Sequence, residues 1–542
     1  MVDRKLDELQ GRSQRLPERP VGHPAGSLPV GESAPAGRGW SASVAGLSPR
    51  ALWKSHRLFS ILVILSLLPR VLADLAFRPA LLIPDSFGYM QEGTTLSLGR
   101  LRPSGYPILL HLLGPFHSLL LVTALQHLLG ISTAVIVYGL LRCWGLPAWG
   151  GALATAPTLF DPRQIALESY ILPDAVFSFV VVAAAAVLLT RRKPGAWQCV
   201  GAGLGIAYAS LLRGNGLLLI VPILGYMLVR RVGLRAFAAG AVAFVIPMLG
   251  YASLFHADYG TFNITNSDGL FLWARTTSFA NCAVIKPPAD LVPLCPDRQG
   301  VRVPVHVPAW SLQAMLAAPT PADYLWSSGV WWKHTARPGP TAANNSLAMR
   351  FAIDAIETQP LDYLRVASRD VLLTFVGSDR RQDINAMAFT ARPEVSVLPP
   401  NYTKDLRDYA HTSTVQHAVQ PYAYFLFLYQ QPVFFPGLAF LAVVLAGLAG
   451  VIRNWRRWGG PGALPWTAAA ITIVAPAALV EDLYRYAIVA VPLACLAAGL
   501  AFVPAPRNLD PEVPEAAVPI SGGPDHAMPC AGPATEDHGN AE

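Results

Sequence analysis

The stretch Leu58–Phe77 reads LFSILVILSLLPRVLADLAF. About 20 apolar residues span the hydrocarbon core of a bilayer. Arg70 and Asp74 interrupt this run only near its end. It therefore reads as a membrane span, and the chain repeats the pattern. Further apolar runs lie at Ser118–Leu141, Leu146–Leu159, Leu172–Leu189, Trp197–Leu212, Leu217–Val229, Ala236–Phe255, Val433–Ile452, Leu464–Val480 and Tyr486–Val503. The spacing predicts an all-α polytopic membrane protein of about ten transmembrane helices. The third, fifth and sixth runs are short, and such runs can also be re-entrant.

Composition agrees. Of 542 residues, 53% are hydrophobic and only 14% charged, with a mean hydropathy of +0.39. Soluble domains carry nearer 25% charge, so an ordinary soluble enzyme is excluded. The net charge of +7 sits in short clusters between apolar runs, a pattern of membrane orientation and not of nucleic-acid binding. No Walker loop and no GxGxxG opens a helix, so nucleotide-driven transport and dinucleotide chemistry have no support.

The basic clusters set the expected topology. Arg142, Arg191, Arg192, Lys193, Arg230, Arg231, Arg235, Arg453, Arg456 and Arg457 fall on one side, against Arg163, Arg213 and Arg485 on the other. The positive-inside bias puts both termini in the cytoplasm of a multi-pass plasma-membrane protein. Residues 1–54 and 504–542 are Pro-, Gly- and Ala-rich and read as disordered cytoplasmic tails. The first apolar run begins too deep for a cleavable leader. Residues 55–255 hold spans one to seven with a first outer loop at 78–104, and 432–503 hold the last three. Between them, 256–431 forms an extracytoplasmic cap, with helices expected at Ser346–Thr358 and Pro360–Phe375. Its Tyr324-Leu325-Trp326 and Trp331-Trp332-Lys333 suit either the membrane interface or the cap's own core. Of six cysteines, only Cys282 and Cys295 lie in the outer segment. An oxidising compartment favours a disulfide there over two free thiols. Neither has zinc-site spacing.

Ionisable residues at membrane depth or at a span mouth are functional candidates. Four groups share the outer side. Asp85, Tyr89 and Glu92 would share one helical face at i, i+4 and i+7, though Asp85 also suits a helix cap. Arg102 and Tyr106 lie in Arg100-Leu101-Arg102-Pro103-Ser104-Gly105-Tyr106-Pro107, whose arginines fit headgroups or a bound phosphate. Glu168 and Asp174 lie on the link before the fourth span, where Asp174 also suits the helix dipole. Arg213, Asn215, Asp482, Arg485 and Tyr486 form the last group. Arg485 would pair locally with Asp482 or grip a lipid phosphate bidentately. Acids able to take a proton and arginines able to hold a phosphate are the means of moving a group from a lipid-linked phosphate to a hydroxyl.

These motifs, in this order, resemble the GT-C superfamily: Asp85 after the first span, Arg102 through Pro107, Glu168 through Asp174, Arg213-Gly214-Asn215-Gly216 and Asp482-Leu483-Tyr484-Arg485-Tyr486. The superfamily includes protein O-mannosyltransferases and the aminoarabinose transferase of lipid A. The resemblance is to its bacterial phospholipid-carrier-dependent members, of an actinobacterial type given the cap segment Arg275–Pro296. It implies a hexosyl- or pentosyltransferase taking a polyprenyl-phosphate sugar and acting on a cell-envelope glycan, lipid or protein, with inversion. It implies Asp85 as the base, with Tyr89, Glu92, Arg102, Tyr106, Glu168, Asp174, Arg213, Asn215, Asp482, Arg485 and Tyr486 around the substrates. A divalent metal stays open as cofactor, because the first loop carries a lone Asp85-Ser86 where paired acids are often seen. A flippase or transporter of the same lipid-linked sugar would use the same arginines without chemistry.

Overall fold

The computed structural model describes residues 49–301, 320–376, 389, 400–412, 416–457, 460–480 and 484–503, with side chains from His56 onward. The expected tails therefore lie almost wholly outside the described residues, as do Glu481 and Asp482. Helices dominate, because a chain crossing hydrocarbon must satisfy its backbone groups within the segment. The first part runs α1 (Pro49–Ala76), α2 (Pro84–Thr95), α3 (Gly105–Leu113), α4 (Leu119–Cys143), α5 (Ala148–Phe160), α6 (Pro162–Ser169), α7 (Asp174–Leu189), α8 (Ala196–Leu212), α9 (Ile220–Val229) and α10 (Leu234–Tyr259). Residues 256–431 add α11 (Asp268–Thr276), α12 (Cys282–Ile285), α13 (Pro321–Leu325), α14 (Ala342–Thr358), α15 (Pro360–Val376), α16 (Pro400–Ala410) and α17 (Tyr422–Tyr429). The chain then forms α18 (Gly437–Arg453), α19 (Ala463–Leu479), α20 (Tyr484–Ile488) and α21 (Val491–Ala501).

Four helical stretches are long and apolar enough to cross a bilayer: His56–Ala76, α4, α10 and Gly460–Leu479. Five shorter apolar helices accompany them: α7, α8, Gly214–Val229, α18 and α21. The protein is membrane-integral and all-α. The tenth expected span, Tyr486–Val503, is divided into α20 and α21. Pro492 stands in the first turn of α21, where its missing N–H is tolerated but a continuous helix is not. Helix α8 packs between α7 and α10, and α18 lies along α21.

A short ladder joins the two halves. Strand β1 (Phe77–Arg78), directly after α1, pairs antiparallel with β2 (His417–Ala418), Phe77 opposite Ala418. This sets residues 78–104 beside the last part of the 256–431 segment. In that segment Trp273, Tyr324, Trp331, Trp332 and Phe351 form one buried cluster, while Trp326 is 43% exposed. Of the aromatics in the two sequence motifs, Tyr324, Trp331 and Trp332 thus belong to the segment's own core, while Trp326 is left exposed at its edge. Buried Arg275 donates to Asp370 at 2.6 Å and ties α11 to α15.

Cys282 and Cys295 are disulfide-bonded, linking α12 to the turn that follows it. In protein taken from cells without reduction, peptide mapping should recover the two segments as one linked species. Alkylation of both thiols before reduction would exclude the bond.

Candidate active site

The site is assembled on α2. Pro84 begins the helix with its preset φ, and Asp85 in the first turn faces the positive end of the helix dipole. The Ile83 N–H donates to Ser86 Oγ at 3.1 Å, closing the turn. Asp85, Tyr89 and Glu92 then fall on one helix at the expected spacing.

Two arginines from distant parts of the chain meet Asp85. Its Oδ1 accepts from Arg102 Nη2 at 2.6 Å, and its Oδ2 accepts from Arg485 Nη2 at 3.1 Å. Arg485 stands 400 residues further along the chain. The three side chains remain 20%, 21% and 15% exposed for Asp85, Arg102 and Arg485, so a ligand can reach them. Arg485 Nη2 also donates to Tyr486 Oη at 3.3 Å. Arg213, which ends α8, pairs with Asp174, the first residue of α7, and lies 4.2 Å over the Tyr486 ring. The Arg102 guanidinium sits 5.5 Å over Tyr89, which meets Tyr106 edge-on at 5.3 Å. From α16, Tyr402 stacks on Phe87 at 4.4 Å.

Among the described residues the cluster thus sets three arginines against two aspartates, and the excess is cationic. Burial raises the Asp85 carboxyl pKa, but Arg102, Arg485 and Arg213 outweigh it and hold it below the usual aspartate value. Asp85 is ionised at neutral pH.

Tyr106 supports this cluster from below. Its hydroxyl donates to Gln126 Oε1 at 2.9 Å, and Gln126 Nε2 donates to the backbone oxygens of Glu168 and Tyr170, each at 2.8 Å. Gln126 thereby joins α3 to the turn that carries Asp174. Gly105 lets α3 approach the end of α8, since a Cβ there would lie 2.5 Å from the Leu211 oxygen.

Glu168 is placed apart from these residues. It accepts from Arg70 Nε at 2.9 Å and Nη2 at 3.1 Å, from Gln164 Nε2 at 2.9 Å, and pairs with His127 Nδ1 at 2.9 Å. Arg70 Nη1 also donates to Leu159 O and its Nη2 to Thr158 O, satisfying carbonyls at the C-terminal end of α5. Asp74 closes the other side, 3.6 Å from His127 Nε2 and 2.7 Å from the Thr123 hydroxyl. Gly130 is required here, because a Cβ would stand 1.9 Å from Glu168 Oε1. Every bond of the Glu168 carboxylate is to this buried network, not to the Asp85 cluster. In the sequence, Arg70 and Asp74 looked only like interruptions of a span. The rule that membrane-depth charges need partners would have singled them out; Gln126 and His127 gave no comparable signal.

Asn215 lies two residues beyond Arg213, with its Oδ1 buried and unbonded among the described residues. Glu92 turns toward Gly99, and its buried Oε2 likewise has no partner among them. Burial pushes its carboxyl up to about 7, against the opposing charge of Arg102. An acid whose folded pKa exceeds its unfolded value is stabilising below the unfolded value, near 4.5, and loses that contribution as pH rises through about 7. Glu92→Gln, which mimics the protonated form, should leave thermal stability unchanged near pH 4. At pH 8 it should raise stability by on the order of 1–3 kcal/mol, the cost of a buried unsatisfied group. Equal shifts at both pH values would show that Glu92 is not protonated on burial.

The donor set does not suit a divalent ion. Asp85 and Asp174 both face guanidinium groups. The one ligand-type cluster among the described residues, Cys282, Cys295 and Asp297, has its cysteines tied in the disulfide. No step below is routed through a metal.

Residues 108–258 match the family described as dolichyl-phosphate-mannose-protein mannosyltransferase. That segment contains Glu168, Asp174, Arg213 and Asn215 but neither Asp85 nor Arg485. Among solved structures, ArnT from Cupriavidus metallidurans bound to undecaprenyl phosphate is similar at 16% identity. The alignment covers 82% of this chain and 76% of that chain, with a TM-score of 0.27. The comparison with curated proteins found no match. Over the matched segment the chain is similar to membrane glycosyltransferases of the GT-C superfamily.

Proposed function

We propose that this protein transfers a sugar from a polyprenyl-phosphate carrier to an acceptor hydroxyl at the outer face of the membrane. The observation that carries the reading is the Asp85 carboxylate held between Arg102 and Arg485 in a cluster whose charge, among the described residues, is net positive. A phosphate-bearing donor supplies the missing negative charge, and a family named for a lipid-phosphate sugar matches residues 108–258.

In the reaction, Asp85 accepts the proton of the acceptor hydroxyl as its oxygen bonds to the anomeric carbon. The bond from that carbon to the phosphate oxygen breaks, with inversion, and its electron pair stays on the phosphate. Arg102 and Arg485 stabilise the charge that develops there, where fixed cations cost no reorganisation. Arg213, oriented by Asp174 and by the Tyr486 ring, adds positive potential. Tyr89 packs against the Arg102 guanidinium, and buried Tyr106 supports Tyr89.

Purified protein would be incubated with a panel of radiolabelled polyprenyl-phosphate sugars and envelope acceptors, and the products separated. Label moving to an acceptor supports transfer; carriage of intact donor across liposomes with no product would replace this reading with a flippase. The sidedness belongs to the proposal. A cysteine introduced into 256–431 should react with an impermeant maleimide in intact cells. Labelling only after lysis would move the site to the cytoplasmic face.

A further inference from the structure

The same two bonds that identify Asp85 also disable it. Each of its oxygens already accepts a hydrogen bond from a guanidinium, Oδ1 from Arg102 and Oδ2 from Arg485. A carboxylate engaged in this way is a poor acceptor for a hydroxyl proton. Arg485 is only half used, however. Its Nη2 is shared between Asp85 and Tyr486, while its Nε is buried with no partner among the described residues. The Nε–H and Nη2–H of an arginine form one edge that fits two oxygens of a carboxylate or phosphate. An oxyanion seated on that edge gains the idle Nε and draws Nη2 away from Asp85.

Resting on the function proposed above, we propose that Arg102 and Arg485 latch Asp85 in the donor-free protein. The donor phosphate, by taking both guanidinium groups, releases Asp85 to act as base. The cluster then fixes an order. Donor binds first, Asp85 is freed, and only then does an acceptor hydroxyl find somewhere to leave its proton. After transfer the carrier phosphate departs, Asp85 returns its proton to solvent, and the two arginines close on the carboxylate again.

The groups facing Asp85 support an exchange of this kind. Arg102, Arg485 and Arg213 are the cations acting on Asp85; its own helix contributes Tyr89 and Glu92, both beside Arg102, and α16, packed on that helix through Tyr402 and Phe87, carries Lys404 and Arg407 exposed. Arg213 remains held by Asp174 and Tyr486, so it is not bonded to Asp85 and need not move. Arg102 and Arg485 are the cations whose transfer to a phosphate changes the state of Asp85.

The latch makes Asp85 a competitor of the donor phosphate, which gives a counterintuitive expectation. Undecaprenyl phosphate, carrying no sugar, is titrated against full-length protein in lipid nanodiscs. Asp85→Asn should bind it about 10-fold or more tightly than the unchanged protein at pH 7, because charged hydrogen bonds no longer have to be broken. Asp85→Glu, which keeps the competing charge, should bind more nearly as the unchanged protein does. The ratio of the Asn-variant to the unchanged affinity should shrink as pH falls and Asp85 takes up a proton. The ratio cancels the phosphate's own titration.

Equal or weaker binding by Asp85→Asn, or a ratio independent of pH, overturns the latch and leaves the function standing. Failure of undecaprenyl phosphate to bind any of the three proteins overturns the function itself. If Asp85→Asn does not fold, Asp85→Ser, which also removes the competing charge, decides in its place: tighter binding than the unchanged protein at pH 7 supports the latch, and equal or weaker binding overturns it.

Discussion

Arg485→Gln is expected to insert and fold normally yet lose transfer on the order of 100-fold, the usual cost of removing a donor aimed at developing charge. Asp85 keeps its bond to Arg102 when Arg485 is replaced. The bonds of Arg485 are to Asp85 and Tyr486 at the mouth of the site. Were the Asp85 pair merely structural, its removal would lower the melting temperature and leave turnover intact. Gln keeps hydrogen-bonding capacity but loses both the charge and the planar fork. Arg485→Lys restores the charge alone and should fall between the two. Turnover would be measured at saturating and limiting donor, with melting temperature as the control. A Gln variant with unchanged turnover at both concentrations would remove the phosphate clamp from the account.

Arg70→Met should produce the largest loss of stability. Arg70 and Glu168 are 2% and 0% exposed, and their bonds connect α1, the end of α5 and α6. Without Arg70, the Glu168 carboxylate is left in a low-dielectric interior with His127 and Gln164 as its remaining partners. Breaking one side of a buried pair typically costs on the order of 3–5 kcal/mol. Removing both charges by Arg70→Met with Glu168→Met should recover much of that, since two matched apolar groups leave no unpaired ion. Thermal unfolding in detergent would compare the single and double variants. A single variant within about 1 kcal/mol of the unchanged protein would show that water or other groups solvate Glu168.

The two predictions separate residues that the sequence had grouped together. Glu168 and Arg485 both look like outer-face candidates, because each is a charge beside an apolar run. Only their partners distinguish them. Glu168 is surrounded by Arg70 and His127 from two neighbouring helices and by Gln164 of its own, closed over by Gly130, whereas Arg485 meets a carboxylate that is 20% exposed.

Sequence alone determined the membrane class, the positions of most helices and the helical face shared by Asp85, Tyr89 and Glu92. The reason is that hydrocarbon acts on every residue locally. A long run of Leu, Val and Ala that enters hydrocarbon must satisfy its backbone within the segment and so is helical, even where a proline such as Pro69 or Pro247 lies inside it. Tertiary structure alone decided that Arg485 meets Asp85 from 400 residues away, that Glu168 answers Arg70, and that Tyr324, Trp331 and Trp332 build the cap's core. It also split the last span at Pro492 and brought Gln126 beneath the site. These pairings depend on how spans pack and where loops return, and one charge near a membrane surface carries no mark of which opposite charge will reach it.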